Sequence, residues 1–345
     1  MKYQSLGISW LECGSKGMSL NRKVSGQVYV RKLKQAWRRV ARKGRTLVKK
    51  TYRLPAGREA GHIRPENILW IFGSGRTGST WLSAMMEEIE DQTVWREPLV
   101  GMLFGHLYYV HARHRIGKQG KHFILGGGYK ETWLGPMRDM VLGGAPVRFP
   151  EVVEGGYLVI KEPNGSIGAP LLMEALPESR MILLVRDPRD VVASSMDAGR
   201  RGGWLYENRN KGEREQDALP DSNPDTYAKK RAHLYVRDIG NAKQAYDAHQ
   251  GYKILVRYEE LRTDTLNTMR RVYTTLGIAV AEGELARAVE KYSWEEIPEE
   301  QKGEGKFYRK ATPGGWREDL TPEQARIVER ITGPLLKEFY PDDAP

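Results

Sequence analysis

The apolar run Ile68-Leu69-Trp70-Ile71-Phe72 breaks into Gly73-Ser74-Gly75-Arg76-Thr77-Gly78-Ser79-Thr80, then resumes as Trp81-Leu82-Ser83-Ala84-Met85-Met86. The first run has the length and composition of a buried strand, and the second reads as the start of a helix. Strand, glycine loop and helix in that order commit this part of the chain to an α/β arrangement. Such a loop turns backbone N–H groups and a helix N-terminus toward one spot, which makes an anion site out of main chain. Gly73 and Gly78 have the spacing of a nucleoside-triphosphate loop, but Ser79 stands where that pattern requires lysine. The cation inside the loop is Arg76. The expected ligand carries phosphate without a triphosphate chain.

Beyond the loop, short apolar runs alternate with helical segments, the pattern of a parallel sheet covered by helices. Strands are expected at 68–72, 93–95, 157–161, 181–185 and 253–257, and helices at 79–90, 189–197, 226–248, 265–276 and 322–339. The fold class is α/β: one P-loop-like domain over residues 67–345, its central parallel sheet flanked by helices, preceded by a basic helical arm over residues 1–66. Residues 100–150, with aromatics, histidines and glycines, and the charged, turn-rich residues 199–225 interrupt the rhythm. The second of these is expected to be a mobile surface loop. Insertions of this kind on an α/β scaffold carry substrate contacts or a lid.

Charge separates arm from body. Residues 1–66 hold 17 Lys and Arg against Glu12, Glu59 and Glu66, a net charge of +14 that exceeds the chain's formal +11, so the remainder is slightly acidic at −3. Within the arm, Val30, Leu33, Trp37, Val40, Ala41, Leu47 and Val48 recur near helical spacing opposite Arg and Lys. Residues 28–52 therefore read either as a helix lying on an anionic membrane surface or as one docked on the body. An arginine-rich targeting segment is a third reading. Nucleic acid ranks below these, because the arm has few aromatics for base stacking. The sequence holds no apolar run long enough for a transmembrane helix, and its N-terminus lacks the pattern of a secretory signal. Cys13 is the single cysteine, which excludes an internal disulfide and a cysteine metal cluster and fits a reducing compartment. The expectation is a cytoplasmic protein, with peripheral membrane attachment as an open option.

A second stretch, Met181-Ile182-Leu183-Leu184-Val185-Arg186-Asp187-Pro188-Arg189-Asp190-Val191-Val192-Ala193-Ser194, ends a buried strand in an arginine. Asp187 can cap a helix that begins at Pro188. Arg186 then lies beyond a strand's carboxyl end, where α/β proteins collect ligands. Alone, this pair also fits an ion-paired arginine and a helix-surface serine.

Together the two stretches resemble the donor-binding elements of the sulfotransferases that use 3′-phosphoadenosine 5′-phosphosulfate (PAPS). In that family a loop after the first strand holds the 5′-phosphosulfate, and an Arg…Ser pair after a later strand holds the 3′-phosphate. Gly73 to Leu82 resembles the first element, and Arg186 to Ser194 the second, with the family's spacing of eight. Val256-Arg257-Tyr258-Glu259-Glu260-Leu261 is similar to the strand carrying a ligand-side tyrosine. Arg309-Lys310, followed by Gly314-Gly315-Trp316-Arg317, is similar to the C-terminal basic loop. The resemblance spans residues 67–340. It implies PAPS as co-substrate and donor binding by Gly75, Arg76, Thr77, Gly78, Ser79, Thr80, Trp81, Arg186, Ser194, Tyr258, Arg309 and Lys310.

Three departures matter. Arg76 replaces the lysine of many members, as in bacterial and carbohydrate-type ones. Ala311 stands where the familiar loop has glycine. Val159-Ile160-Lys161-Glu162-Pro163-Asn164 lacks the histidine that serves phenol- and steroid-sulfating members as base. Arg96-Glu97-Pro98-Leu99 instead supplies a carboxylate about 20 residues past the loop cation, at a strand end facing the loop, and is similar to a Glu-Pro-Leu stretch of Golgi carbohydrate sulfotransferases. Glu97 is the candidate base, with Arg76 and Lys161 as stabilisers of charge on the transferring and leaving oxygens. The acceptor expected from this is a hydroxyl of a glycan, glycolipid or small alcohol. His106, His111, His114 and His122 match no metal spacing, and no metal is expected. The rival readings are a small-molecule kinase, opposed by Ser79, and a nucleotide-binding module without catalysis.

Overall fold

The chain divides into two units, Met1–Glu59 and Ala60–Pro345. The computed structural model describes residues 63–111, 127–208 and 219–343, all within the second. The arm helix expected over residues 28–52 lies outside the described residues.

Five strands form one parallel sheet: β1 (Ile68–Phe72), β2 (Gln92–Arg96), β3 (Tyr157–Lys161), β4 (Arg180–Val185) and β5 (Lys253–Arg257), in the order β2-β3-β1-β4-β5. β1 lies at the centre, where Trp70 is in register with Ile160 of β3 on one side and Met181 of β4 on the other. Every residue of β1 and β4 is buried, because helices cover both faces of a parallel sheet. Successive side chains point to opposite faces. Ile68, Trp70 and Phe72 therefore join a core with α2 (Lys130–Arg148), α3 (Ala169–Ala175), α5 (Pro224–Ala248) and α9 (Pro322–Phe339). Leu69 and Ile71 join another with α1 (Ser79–Glu87), α7 (Thr265–Thr275) and α8 (Glu282–Lys291). The remaining helices used below are α4 (Pro188–Gly199), which follows β4, and α6 (Tyr258–Thr263), which follows β5.

The expected strands all form, with β2 one residue longer at each end than 93–95. The helix expected over 79–90 stops at Glu87, because the chain reverses through Asp91, at φ 61, into β2. α2 lies inside the interruption at 100–150. Its Gly135, Pro136, Gly143, Gly144 and Pro146 read as breakers. Burial of Trp133, Met137 and Val141 against the sheet overrides that local preference. Within 199–225, the described part includes a helical turn at Trp204–Glu207, and residues 209–218 lie outside the description. No helix among the described residues is long and apolar enough to cross a membrane.

Candidate active site

The strand order reverses at β1, and the crevice beyond the carboxyl ends of β1 and β4 is where such a sheet gathers a ligand. A cleft of about 390 Å³ opens there. Its floor is the glycine loop. The Gly73 N–H donates to Ser166 Oγ at 2.9 Å, and a Cβ on Gly73 would lie 2.6 Å from the Leu184 carbonyl oxygen, so only glycine lets the loop press onto β4. Gly78 has φ +91, and a Cβ there would meet the Tyr258 ring at 2.6 Å. No side chain caps α1, so its first N–H groups are left for a ligand at the loop.

Gly75, Arg76, Gly78, Ser79, Thr80 and Trp81 line the cleft, as do Glu97, Arg186, Ser194, Tyr258, Arg309 and Lys310. Thr77 and Lys161 do not. The Thr77 side chain is buried and donates to the Ser74 carbonyl at 2.7 Å, which holds the loop's shape. Lys161 lies beneath the surface and reaches up to Thr80 Oγ1 at 3.3 Å.

Asp187 and Arg76 organise the Arg…Ser element. Asp187 caps α4 through the Arg189 N–H at 2.8 Å and also pairs with the Arg189 guanidinium. This leaves Arg186 to turn into the cleft, over the Tyr258 ring at 4.3 Å. Its Nη1 donates to the Arg76 carbonyl at 3.2 Å, while its Nε is buried without a hydrogen-bond partner. Ser194 Oγ accepts from Arg76 Nε at 3.0 Å, so in this structure the loop cation joins the glycine loop to α4. Arg76 itself has φ 74 and packs against the adjoining rings of Trp204 and Phe307, at 5.2 and 5.3 Å. Burial pushes its guanidinium down to about 10, helped by the neighbouring charges of Arg186, Arg231 and Arg309. An anion in the cleft would relieve that repulsion.

At the other wall, Glu97 accepts from Lys161 Nζ at 2.6 Å and from the Asn164 amide. Its own N–H donates to the Lys161 carbonyl at 2.8 Å, which continues the β2–β3 pairing past the strand end. The chain then bends sharply, with Glu97 at φ 49 and Leu99 at φ 61. The buried Glu162 carboxylate holds this bend by accepting the N–H groups of Leu99 at 3.0 Å and Gly101 at 3.1 Å. Burial pushes Glu162 up to about 7, against those two hydrogen bonds.

The C-terminal basic loop reaches the cleft because Asp190 of α4 accepts the N–H groups of Gly314 and Trp316, at 2.8 and 2.9 Å. Arg309 pairs with Asp319 at 2.6 Å, and Lys310 with Glu318 and Asp319. Ala311 takes φ 50, the left-handed conformation that glycine would adopt freely at this position. The alanine thus keeps the glycine's backbone geometry at some strain.

Residues 169–340 match the family model of the sulfotransferase domain. The chain belongs to the PAPS-dependent sulfotransferases. Among solved structures, sulfotransferase STF9 from Mycobacterium avium is 14% identical over 80% of this chain and 78% of its own, with a TM-score of 0.48. Mouse sulfotransferase SULT7A1, complexed with PAP, is 17% identical over 79% of this chain and 89% of its own, with a TM-score of 0.47. A sulfotransferase from Alicyclobacillus acidocaldarius is 14% identical over 79% and 96%, with a TM-score of 0.39. No curated protein matches the chain.

Several residues of the sulfotransferase cleft were not foreseen from sequence. Asn164 and Glu162 flank a proline just past β3, and their position beside the Lys161 already under consideration was the available signal. Trp204, Phe307 and Arg231 come from distant segments with no motif. His106 lies in the helical turn His106–His111 and does not line the cleft, whereas His114 and His122 lie outside the described residues.

Proposed function

We propose that the sulfotransferase acts on a hydroxyl of a carbohydrate or glycolipid, with Glu97 as the base. One observation carries the base assignment: among the described residues lining the cleft, Glu97 is the one carboxylate, and none is a histidine. An alcohol is a poor nucleophile until a nearby base takes its proton in the transition state. Glu97 accepts that proton as the alcohol oxygen bonds to sulfur and the sulfur–oxygen bond to the 5′-phosphate breaks, leaving a sulfate ester and 3′-phosphoadenosine 5′-phosphate (PAP). The proton then passes from Glu97 to solvent.

The residues present suit the donor. The uncapped N-terminus of α1 and the glycine loop offer N–H groups, and the unpartnered Arg186 Nε offers a charged donor. Arg186, Ser194, Arg309 and Lys310 would hold the 3′-phosphate. Arg76 and Lys161 would stabilise charge on the transferring and leaving oxygens, acting by position and electrostatics. Lys161, between Glu97 and Thr80, joins the base to the loop. Glu97→Gln should bind PAP within about threefold of wild type in calorimetry while losing roughly 10²- to 10⁴-fold in turnover of labelled PAPS. Full turnover in that variant removes Glu97 from the role.

The Glu97-Pro98-Leu99 resemblance supports the carbohydrate acceptor. The charge of residues 1–66 supports a peripheral attachment to an anionic membrane, and the lone Cys13 a cytoplasmic location. A chain lacking residues 1–60 is expected to lose binding to phosphatidylserine vesicles while keeping activity. Unchanged vesicle binding excludes the membrane role.

A further inference from the structure

Arg231, on α5, lines the cleft, yet no donor-binding element of the sequence includes it. Its Nε is buried with no hydrogen-bond partner among the described residues. A charged donor left unmatched away from water is costly, so its retention asks for a ligand. The other cations of the cleft have roles. Arg309 and Lys310 are paired with Asp319 and Glu318, Arg76 is engaged with Ser194, Arg262 donates to the Ala311 carbonyl at 3.2 Å, and Arg186 is assigned to the 3′-phosphate.

Arg231 also borders the Glu97 side of the cleft. A Cβ placed on Gly75 would lie 3.8 Å from Arg231 Nη2 and 3.4 Å from Asn164 Oδ1, so the two side chains flank the same loop residue. Asn164 in turn donates to the Glu97 carboxylate. The Arg231 guanidinium therefore borders the same space beside Gly75 as the group that holds the base, and glycine at 75 keeps that space open. Arg76, Arg186, Arg231, Arg262, Arg309 and Lys310 line the cleft against the single carboxylate of Glu97. Such a field draws in anionic partners and disfavours cationic ones. A guanidinium offers a planar fork that fits the oxygens of a carboxylate or a sulfate ester.

We propose that Arg231 recognises an anionic substituent of the acceptor, a carboxylate or a sulfate ester, close to the hydroxyl that is sulfated. This deepens the reading of Glu97 as the base and rests on it. The preferred acceptor is then an acidic saccharide, such as a uronic acid unit or one already sulfated, and not a neutral sugar.

Calorimetry on the full chain, with and without PAP, can test this by titrating p-nitrophenyl glucoside, p-nitrophenyl glucuronide and p-nitrophenyl glucoside 6-sulfate. At least one anionic compound should bind about tenfold or more tightly than the neutral one, the scale of one charged hydrogen bond. The two anionic arms separate carboxylate from sulfate recognition. In Arg231→Gln the margin should vanish, in Arg231→Lys part of it should return, and PAP affinity should stay within about threefold of wild type in both. Equal binding of all three compounds, no binding by any, or a margin that survives in Arg231→Gln overturns the proposal. A large loss of PAP affinity in Arg231→Gln also overturns it, by moving Arg231 to the donor. The reading of Glu97 fails separately, through full turnover in Glu97→Gln, which these titrations do not measure.

Discussion

The two walls of the cleft are built on different principles. On the glycine-loop wall the main chain does the positioning: Gly73 is pressed onto β4, Gly78 against Tyr258, and Arg186 follows directly from a fully buried strand. On the Glu97 wall, side chains do the positioning. Lys161 and Asn164 hold the carboxylate, and Glu162 holds the left-handed bend on which it stands. The first wall carries its geometry in strand ends that belong to the core. The second depends on a polar network whose members must all be present for any one to be well placed. Damage should therefore be local and confined to donor binding on the first wall, and spread to the reacting group without affecting the donor on the second.

The sharpest way to break this contrast is at Arg186. Arg186→Ala should weaken PAP binding by roughly 10- to 100-fold, the scale of a charged hydrogen bond to phosphate, with little change in acceptor affinity. A change below threefold would remove Arg186 from the donor wall. Glu162→Gln tests the opposite wall. A glutamine amide presents N–H groups where the Leu99 and Gly101 N–H groups need an acceptor, so turnover should fall about tenfold while PAP affinity holds. Equal losses in both would show that the two walls are mechanically one.

The smallest effect concerns pH. Glu162 is pushed up to about 7, and Asp238 to about 6, both chiefly by burial. A carboxyl with a raised folded-state pKa contributes stability that is complete below its unfolded value near 4.5 or 3.8 and lost as pH rises through the folded value. These two groups should lower the melting temperature between about pH 4.5 and 7.5 by roughly 2–4 °C per kcal/mol lost. In Glu162→Gln part of that slope should disappear. An unchanged slope would mean that Glu162 ionises in the folded chain no less readily than in the unfolded one.

The same contrast explains what could be read ahead of the structure. Apolar runs of five residues placed β1 and β4, because a strand buried on both faces admits little else, and shorter apolar runs placed β2, β3 and β5. The glycines of the loop announced themselves, since a backbone that must approach another backbone closely has no substitute for them. Asp187-Pro188 marked the start of α4 by capping chemistry. The helix α2 was hidden by its glycines and prolines, and its stability comes from Trp133, Met137 and Val141 on the sheet. Arg76 was expected to stabilise charge on the transferring and leaving oxygens, but its bond to Ser194 and its packing against Trp204 and Phe307 were not legible in the sequence. Nothing local to residue 76 encodes those partners, which come from segments more than a hundred residues away.

By itself the sequence determined the parallel α/β sheet, the anion loop at the end of β1, the cation at the end of β4 and the family to which they belong. Each of these is a short-range requirement of backbone geometry or burial, written in consecutive residues. Only the tertiary structure decided that Lys161, Asn164 and Glu162 support Glu97, that Asp190 draws the C-terminal loop to α4, and that Arg231 lines the cleft beside Gly75. Those contacts join residues far apart in the chain, and side-chain partnership at that range is set by packing around the sheet.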